Sequence, residues 1–116
     1  TAVFGTPAEN TYSQLLASST GKILALVIFG MLGNCSATGE YDYFIAYGAG
    51  GAETSILTSR VSIVNETLDD TRYHTFSIRL ELQLPAATRL AFKYDSVGGT
   101  NTITCEGGIT IEERVA

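Results

Sequence analysis

A chain of 116 residues, 45% hydrophobic and 16% charged, has room for one domain around a single core and is too apolar to remain disordered. Seven Lys and Arg against twelve Asp and Glu leave a formal charge of −5, and the basic residues stand singly from Lys22 to Arg114, which excludes a phosphate-tracking surface for nucleic acid. The longest apolar run, residues 23–32, is half of the roughly 20 residues that a membrane-spanning helix needs, so membrane insertion is not expected.

The first twenty residues carry Val3, Phe4, Tyr12, Leu15 and Leu16 among polar neighbours and read as an N-terminal arm, with an edge strand over 12–17. They show no succession of charged, apolar and cleavage regions, which fits a processed chain or an excised domain. Residues 23–32 (ILALVIFGML) are apolar without a break, which suits either a doubly covered strand or a short buried helix. The β-branched and aromatic residues Ile23, Val27, Ile28 and Phe29, with Gly21, Gly30 and Gly33 around them, favour the strand. A strand apolar on both faces needs cover beyond its own sandwich partner, and a subunit interface would supply it.

Tyr41, Tyr43, Ile45 and Tyr47 then fall two residues apart on one face of a further strand, with Phe44 opposite. Such a stripe is core, subunit contact or a sugar-stacking surface; three phenol hydroxyls in need of partners favour a wet or interfacial place over a dry core. Val27, Phe29, Tyr41, Tyr43 and Tyr47 are therefore the expected oligomer contacts. Leu57, Val61 and Ile63 mark another strand.

Alternation is clearest over 76–84, where Phe76, Ile78, Leu80, Leu82 and Leu84 share a face. The turn at 85–88 and the return of Leu90, Phe92 and Tyr94 predict a hairpin. Turns at 98–101 and 106–108, with short strands over 102–105 and 109–112, complete a predicted β-meander. The whole reads as a single all-β domain over 1–116, an antiparallel jelly roll or β-sandwich of about eight strands.

Catalytic patterns do not assemble. His74 is the one histidine and has no Cys or second His at metal-ligand spacing. There is no G-x-S-x-G elbow, and the glycines at 48, 50 and 51 precede neither a helical pattern nor a Lys-Ser/Thr pair. Glu112 and Glu113 are adjacent strand residues, which point to opposite faces and cannot flank one bond. No enzyme activity and no cofactor are expected, calcium on Glu66, Asp69 and Asp70 being the one weak metal candidate. Cys35 and Cys105 allow one long-range disulfide or two buried free thiols. Recognition is expected from loops at one end of the sandwich, at 48–53, 66–71 and 95–101, with Gly50, Glu53, Asp69, Asp70, Asp95 and Asn101 as ligand-binding candidates.

The segment Gly39-Glu40-Tyr41-Asp42-Tyr43-Phe44 resembles the G-x-Y-x-F strand of the complement/tumour-necrosis-factor-like jelly rolls, with one residue displaced at its aromatic end. The closing stretch from Leu84-Pro85-Ala86-Ala87-Thr88-Arg89 through Gly98-Gly99 to Gly107-Gly108-Ile109-Thr110-Ile111 is similar to the last strands of prokaryotic and phage members of that family. The resemblance implies a homotrimer that caps a fibre, spike or stalk on a virion or at an extracellular surface. It also implies binding of a cell-surface glycan or protein receptor, sometimes with calcium near the threefold axis. The alternative expectation is a structural subunit of a virion shell or self-assembling surface appendage, in which the N-terminal arm reaches into a neighbour.

Overall fold

The structure, a computed structural model, describes residues 2–3, 9–33, 35–63, 73–99 and 101–114, with the side chains of residues 2, 3, 33, 73, 74, 104, 106 and 114 left aside. The strands are β1 (Ala2–Val3), β2 (Ser13–Leu16), β3 (Lys22–Gly33), β4 (Gly39–Tyr47), β5 (Thr54–Ile63), β6 (Tyr73–Leu84), β7 (Leu90–Ser96) and β8 (Thr104–Arg114). They form two four-stranded antiparallel sheets, ordered β1-β8-β3-β6 and β2-β7-β4-β5. The protein is an all-β sandwich, and no described residue is helical.

Residues 23–32 are a strand, as β-branched content predicts, and β3 is central, hydrogen-bonded to β6 on one side and β8 on the other. Its inward residues Ile23, Leu26, Ile28 and Leu32 are fully buried. The change from odd to even positions follows a register shift at Leu24, where β3 carries one residue more than β8 and one fewer than β6. Such a bulge bends a strand and raises its twist. From the facing sheet Tyr41, Ile45, Leu90, Phe92 and Tyr94 close the core, each no more than 1% exposed.

At one point the two sheets meet over glycines. Gly30 and Gly107 face each other across β3 and β8, and Phe76 is the partner of Gly30 on β6. Without side chains at two of the three inward positions, the Phe76 ring has room to stack on Tyr43 of the other sheet, centroids 4.8 Å apart and planes 19° from parallel. Gly107 has φ +134°, and a Cβ there would collide with the Phe29 carbonyl oxygen and the Gly30 Cα. Only glycine fits.

Three expectations about connectivity are corrected. The 76–84 and 90–94 strands are not a hairpin, because β6 and β7 belong to different sheets and the 85–89 turn carries the chain between them. The predicted β-meander fails for the same reason: β6 and β8 flank β3, and β7 lies in the sheet opposite. Residues 106–108 are no turn but the middle of β8, where the glycines permit close backbone approach rather than chain reversal.

Candidate functional site

The outward face of the first sheet presents what β3 does not bury. Val27 and Met31 are half-buried there, and Leu24 and Phe29 are 37% and 39% exposed. Val27, Phe29 and Met31 are outward because they alternate with Leu26, Ile28, Gly30 and Leu32. Where side chains are described, their neighbours across the ladder are small and uncharged (Gly108 and Ser77 beside Phe29, Thr110 beside Val27, Thr75 beside Met31), except for Arg79 on the other side of Val27. At one end the stripe is covered. Arg79 donates two hydrogen bonds to Glu112 at 2.7 and 2.9 Å, reaching from β6 to β8 across β3, and Ala25, whose ladder partners are Glu81 and Glu112, is only 2% exposed. The guanidinium holds the Glu112 carboxyl below its ordinary value, through the hydrogen bonds first and charge second.

The outward face of the second sheet is finished from within the chain. Arg60 donates two hydrogen bonds to Asp42 at 2.8 and 3.2 Å, lowering that carboxyl, and lies 3.5 Å from Glu40. The Lys93 ammonium sits 4.7 Å from the Tyr12 ring centre and 4.5 Å from that of Phe44, a cation held by two aromatic rings. Arg89 donates to the Gln14 side chain, the Gly48 carbonyl and Glu53. Burial alone would raise the Glu53 carboxyl, but hydrogen bonds from its own backbone, from Arg89 and from Gly51 outweigh it and hold the group low.

The loops divide between two ends. Tyr47 pairs with Leu90 and Tyr41 with Ser96, so the 48–53 connection lies beside the 85–89 turn, whereas the 97–101 connection lies at the opposite end, beside Gly39 and Ile63. The expected single recognition end is therefore corrected, because antiparallel pairing puts successive connections at alternate ends. Asp95 is no loop residue; it stands in β7 opposite Asp42. Asn101 is half-buried at the far end. Glu66, Asp69 and Asp70, with the calcium expectation attached to them, lie outside the described residues, as does the His74 side chain.

At the 48–53 end the backbone is tightly specified. The Ala52 amide donates to the Ala49 carbonyl at 2.9 Å with Gly51 at φ +86°, as a type II turn requires at its third position. Gly48 has φ +117°, and a Cβ there would lie 2.9 Å from the Ala52 oxygen. Across from this turn Ala87 has φ +62°, a left-handed conformation unusual for alanine. Ser19 holds it there: the Ser19 carbonyl accepts from the Ala87 amide, its hydroxyl accepts from the Thr88 amide, and its own amide donates to the Thr88 carbonyl. Between the two segments, with Ala17 and Tyr47, opens a cleft of about 470 Å³. Sequence reading missed Ser19, Ala17 and Arg89, which come from segments far apart in the chain.

The tyrosine row is corrected from interface to core. Tyr41 and Tyr43 are 0% and 2% exposed and face the other sheet; Tyr47, at the strand end, is half-buried. The hydroxyls do not require water, since that of Tyr41 donates to the Ala37 carbonyl at 2.6 Å. Burial, with the neighbouring Cys35 thiol, pushes the Tyr41 phenol up to about 12. Both cysteines are free thiols; burial raises Cys105 to about 12, which makes it a poor nucleophile.

Among the described residues no group of three or more His, Cys, Asp and Glu side chains could hold a metal ion. Nor is any helix among them long and apolar enough to cross a membrane. Comparison with protein-family models and with curated proteins gives no match.

Proposed function

We propose that this chain is a non-enzymatic, self-associating head or capping domain of a viral or bacterial surface fibre or spike, a homotrimer that acts in attachment to a cell-surface glycan or protein receptor. The observation that carries the self-association is the outward stripe of β3, where Leu24, Val27, Phe29 and Met31 leave an apolar centre on a sheet whose counterpart is covered from within. Burying such side chains gains about 1.5–3 kcal/mol each when the burial is complete, enough for several together to drive association. The strand order supports the reading as well. The chain alternates between sheets at each connection except β4 to β5, which gives β1-β8-β3-β6 over β2-β7-β4-β5, an order that agrees with jelly-roll winding. The resemblance at Gly39 to Phe44 falls on β4 and supports trimeric assembly of the kind found in that family.

A second reading, a shell or appendage subunit, draws on β1. This two-residue strand pairs with the edge of β8 through Ala2 and Ile109 and Val3 and Gly108, a contact short enough to exchange between copies. Native mass spectrometry tests both. A closed trimer supports the head domain, an open-ended ladder of masses supports the appendage subunit, and a monomer at micromolar concentration overturns both.

A further inference from the structure

The attachment reading leaves the ligand open, and the cleft at the 48–53 end narrows it. Its lining is unusual for what it does not offer. Arg89 is its one cation, and that guanidinium is already committed to Glu53 at 3.3 Å and to Gln14 and Gly48, with Arg89 and Glu53 side chains only 18% and 8% exposed. The local charge is therefore offset, and an anion meets no free counter-charge. What remains is a half-buried phenol, the methyl groups of Ala17, Ala49 and Ala87, Thr88 and backbone. The Tyr47 hydroxyl has no hydrogen-bond partner among the described residues, and the amides of Ala49 and Gly50 donate to no described group. Ala17 and Ala87 supply apolar contact.

The walls are fixed before any ligand arrives. The type II turn sets one side and the Ser19 to Thr88 hydrogen bonds hold the other, with Ala87 kept at φ +62°. Prior ordering reduces the entropy cost of binding. A volume of about 470 Å³ falls within the range of roughly 300–1,000 Å³ typical of small-ligand sites. An aromatic ring with a free hydroxyl, unused amides and no net charge match a ligand that has apolar C–H faces and many hydroxyls.

We propose that the cleft between residues 47–50 and 87–89 binds a neutral saccharide. This rests on the attachment reading and adds the ligand class and its place.

The test is amide chemical-shift mapping of the full chain titrated separately with methyl α-glucoside, methyl β-galactoside and N-acetylglucosamine, with glucuronate and inorganic phosphate as anionic counterparts. At least one neutral sugar is expected to give saturable shifts at residues 47–50 and 87–89, with phosphate giving none there. Ala49→Trp, an exposed position on the rim, should weaken the binding about tenfold or more without moving the melting temperature, and Ala17→Trp should do the same from the other wall. Tyr47→Phe should weaken it less, since the ring stays. No shift with any neutral sugar, shifts only with phosphate or glucuronate, shifts confined to the 97–101 end, or binding unaffected in both tryptophan variants would each overturn the proposal. A trimer that binds no sugar sinks the cleft and leaves the head-domain reading intact; a sugar-binding monomer does the reverse.

Discussion

The two outward faces of the sandwich are each built on a four-stranded antiparallel sheet and end in opposite conditions. On the second sheet each prominent group is answered from the same chain: Asp42 by Arg60, Lys93 by Tyr12 and Phe44, Glu53 by Arg89. On the first sheet only the end over Ala25 is answered, by Arg79 and Glu112, and the middle of β3 stays apolar. Central position alone does not account for this, since β4 is equally central and its outward residues Asp42, Phe44 and Ala46 are all at least half-buried. The face that the chain finishes for itself needs no partner. The face it leaves apolar is where a partner gains most.

The largest expected effect comes from the backing of the unfinished face. Gly107→Ala places a Cβ against the Phe29 carbonyl and the Gly30 Cα, backbone that cannot step aside without opening the β3 and β8 ladder. A loss of about 3 kcal/mol or more is expected in denaturant unfolding. Gly50→Ala, with nothing within 4 Å of its added carbon, should change stability little. Equal effects at the two positions would mean that β8 does not approach β3 this closely.

Next comes a comparison of two aromatic positions, one on each face. Phe29→Asp should dissociate the proposed oligomer, because an unpaired carboxylate in an apolar contact is strongly unfavourable. Phe29→Ser, which adds no charge, should shift dissociation to lower dilution. Phe44→Ala on the finished face should leave the native mass unchanged and cost about 1–2 kcal/mol of stability, through lost packing and the lost ring beneath Lys93. An oligomer indifferent to Phe29→Asp, or one dissolved by Phe44→Ala, would reverse the assignment of the faces.

How far the sequence discloses these faces depends on what each residue reports. Alternation over 76–84 is legible because β6 is an edge strand with one face half-covered and one in solvent, so polarity follows the pleat. The strand at 23–32 is legible from its β-branched content, but the register shift at Leu24 decides which of its residues point outward, and no pattern marks it. Face patterns say nothing of partners, which is why β6 and β7 read as a hairpin although they pair in different sheets. The glycines at 106–108 read as a turn because composition cannot separate chain reversal from close approach. Tyr41 read as wet because its acceptor, the Ala37 carbonyl, is backbone and leaves no trace in residue type. The cleft is half legible: the glycines of the 48–53 loop mark one wall, while the Ser19 clamp and Arg89, brought in from 29 or more residues away, emerge only in three dimensions.

The smallest expected effect separates the faces by their ion pairs. Asp42 and Glu112 each accept two hydrogen bonds from an arginine and are held below their ordinary values of 3.8 and 4.5. A carboxyl lowered in the folded state adds stability that is complete above its unfolded value and is lost as pH falls through the folded one. Both contributions should therefore be present at neutral pH, with the Glu112 share fading below about 4.5 and the Asp42 share below about 3.8. In the single chain Arg60, Arg79 and Glu112 are exposed and only Asp42 is partly covered, so salt screens both pairs and each is worth little. The proposed association would change only one of them, since a copy seated on the β3 stripe would exclude solvent from the adjoining Arg79 and Glu112 and leave Asp42 and Arg60 as they are. Melting temperatures of Asp42→Asn and Glu112→Gln at neutral pH, in low and high salt, read the difference. The Asp42→Asn shift should shrink in high salt while the Glu112→Gln shift persists, and on a Phe29→Asp background both should shrink alike. If salt screens the two pairs equally in the unaltered protein, the β3 face is open to solvent and the contact between copies lies elsewhere.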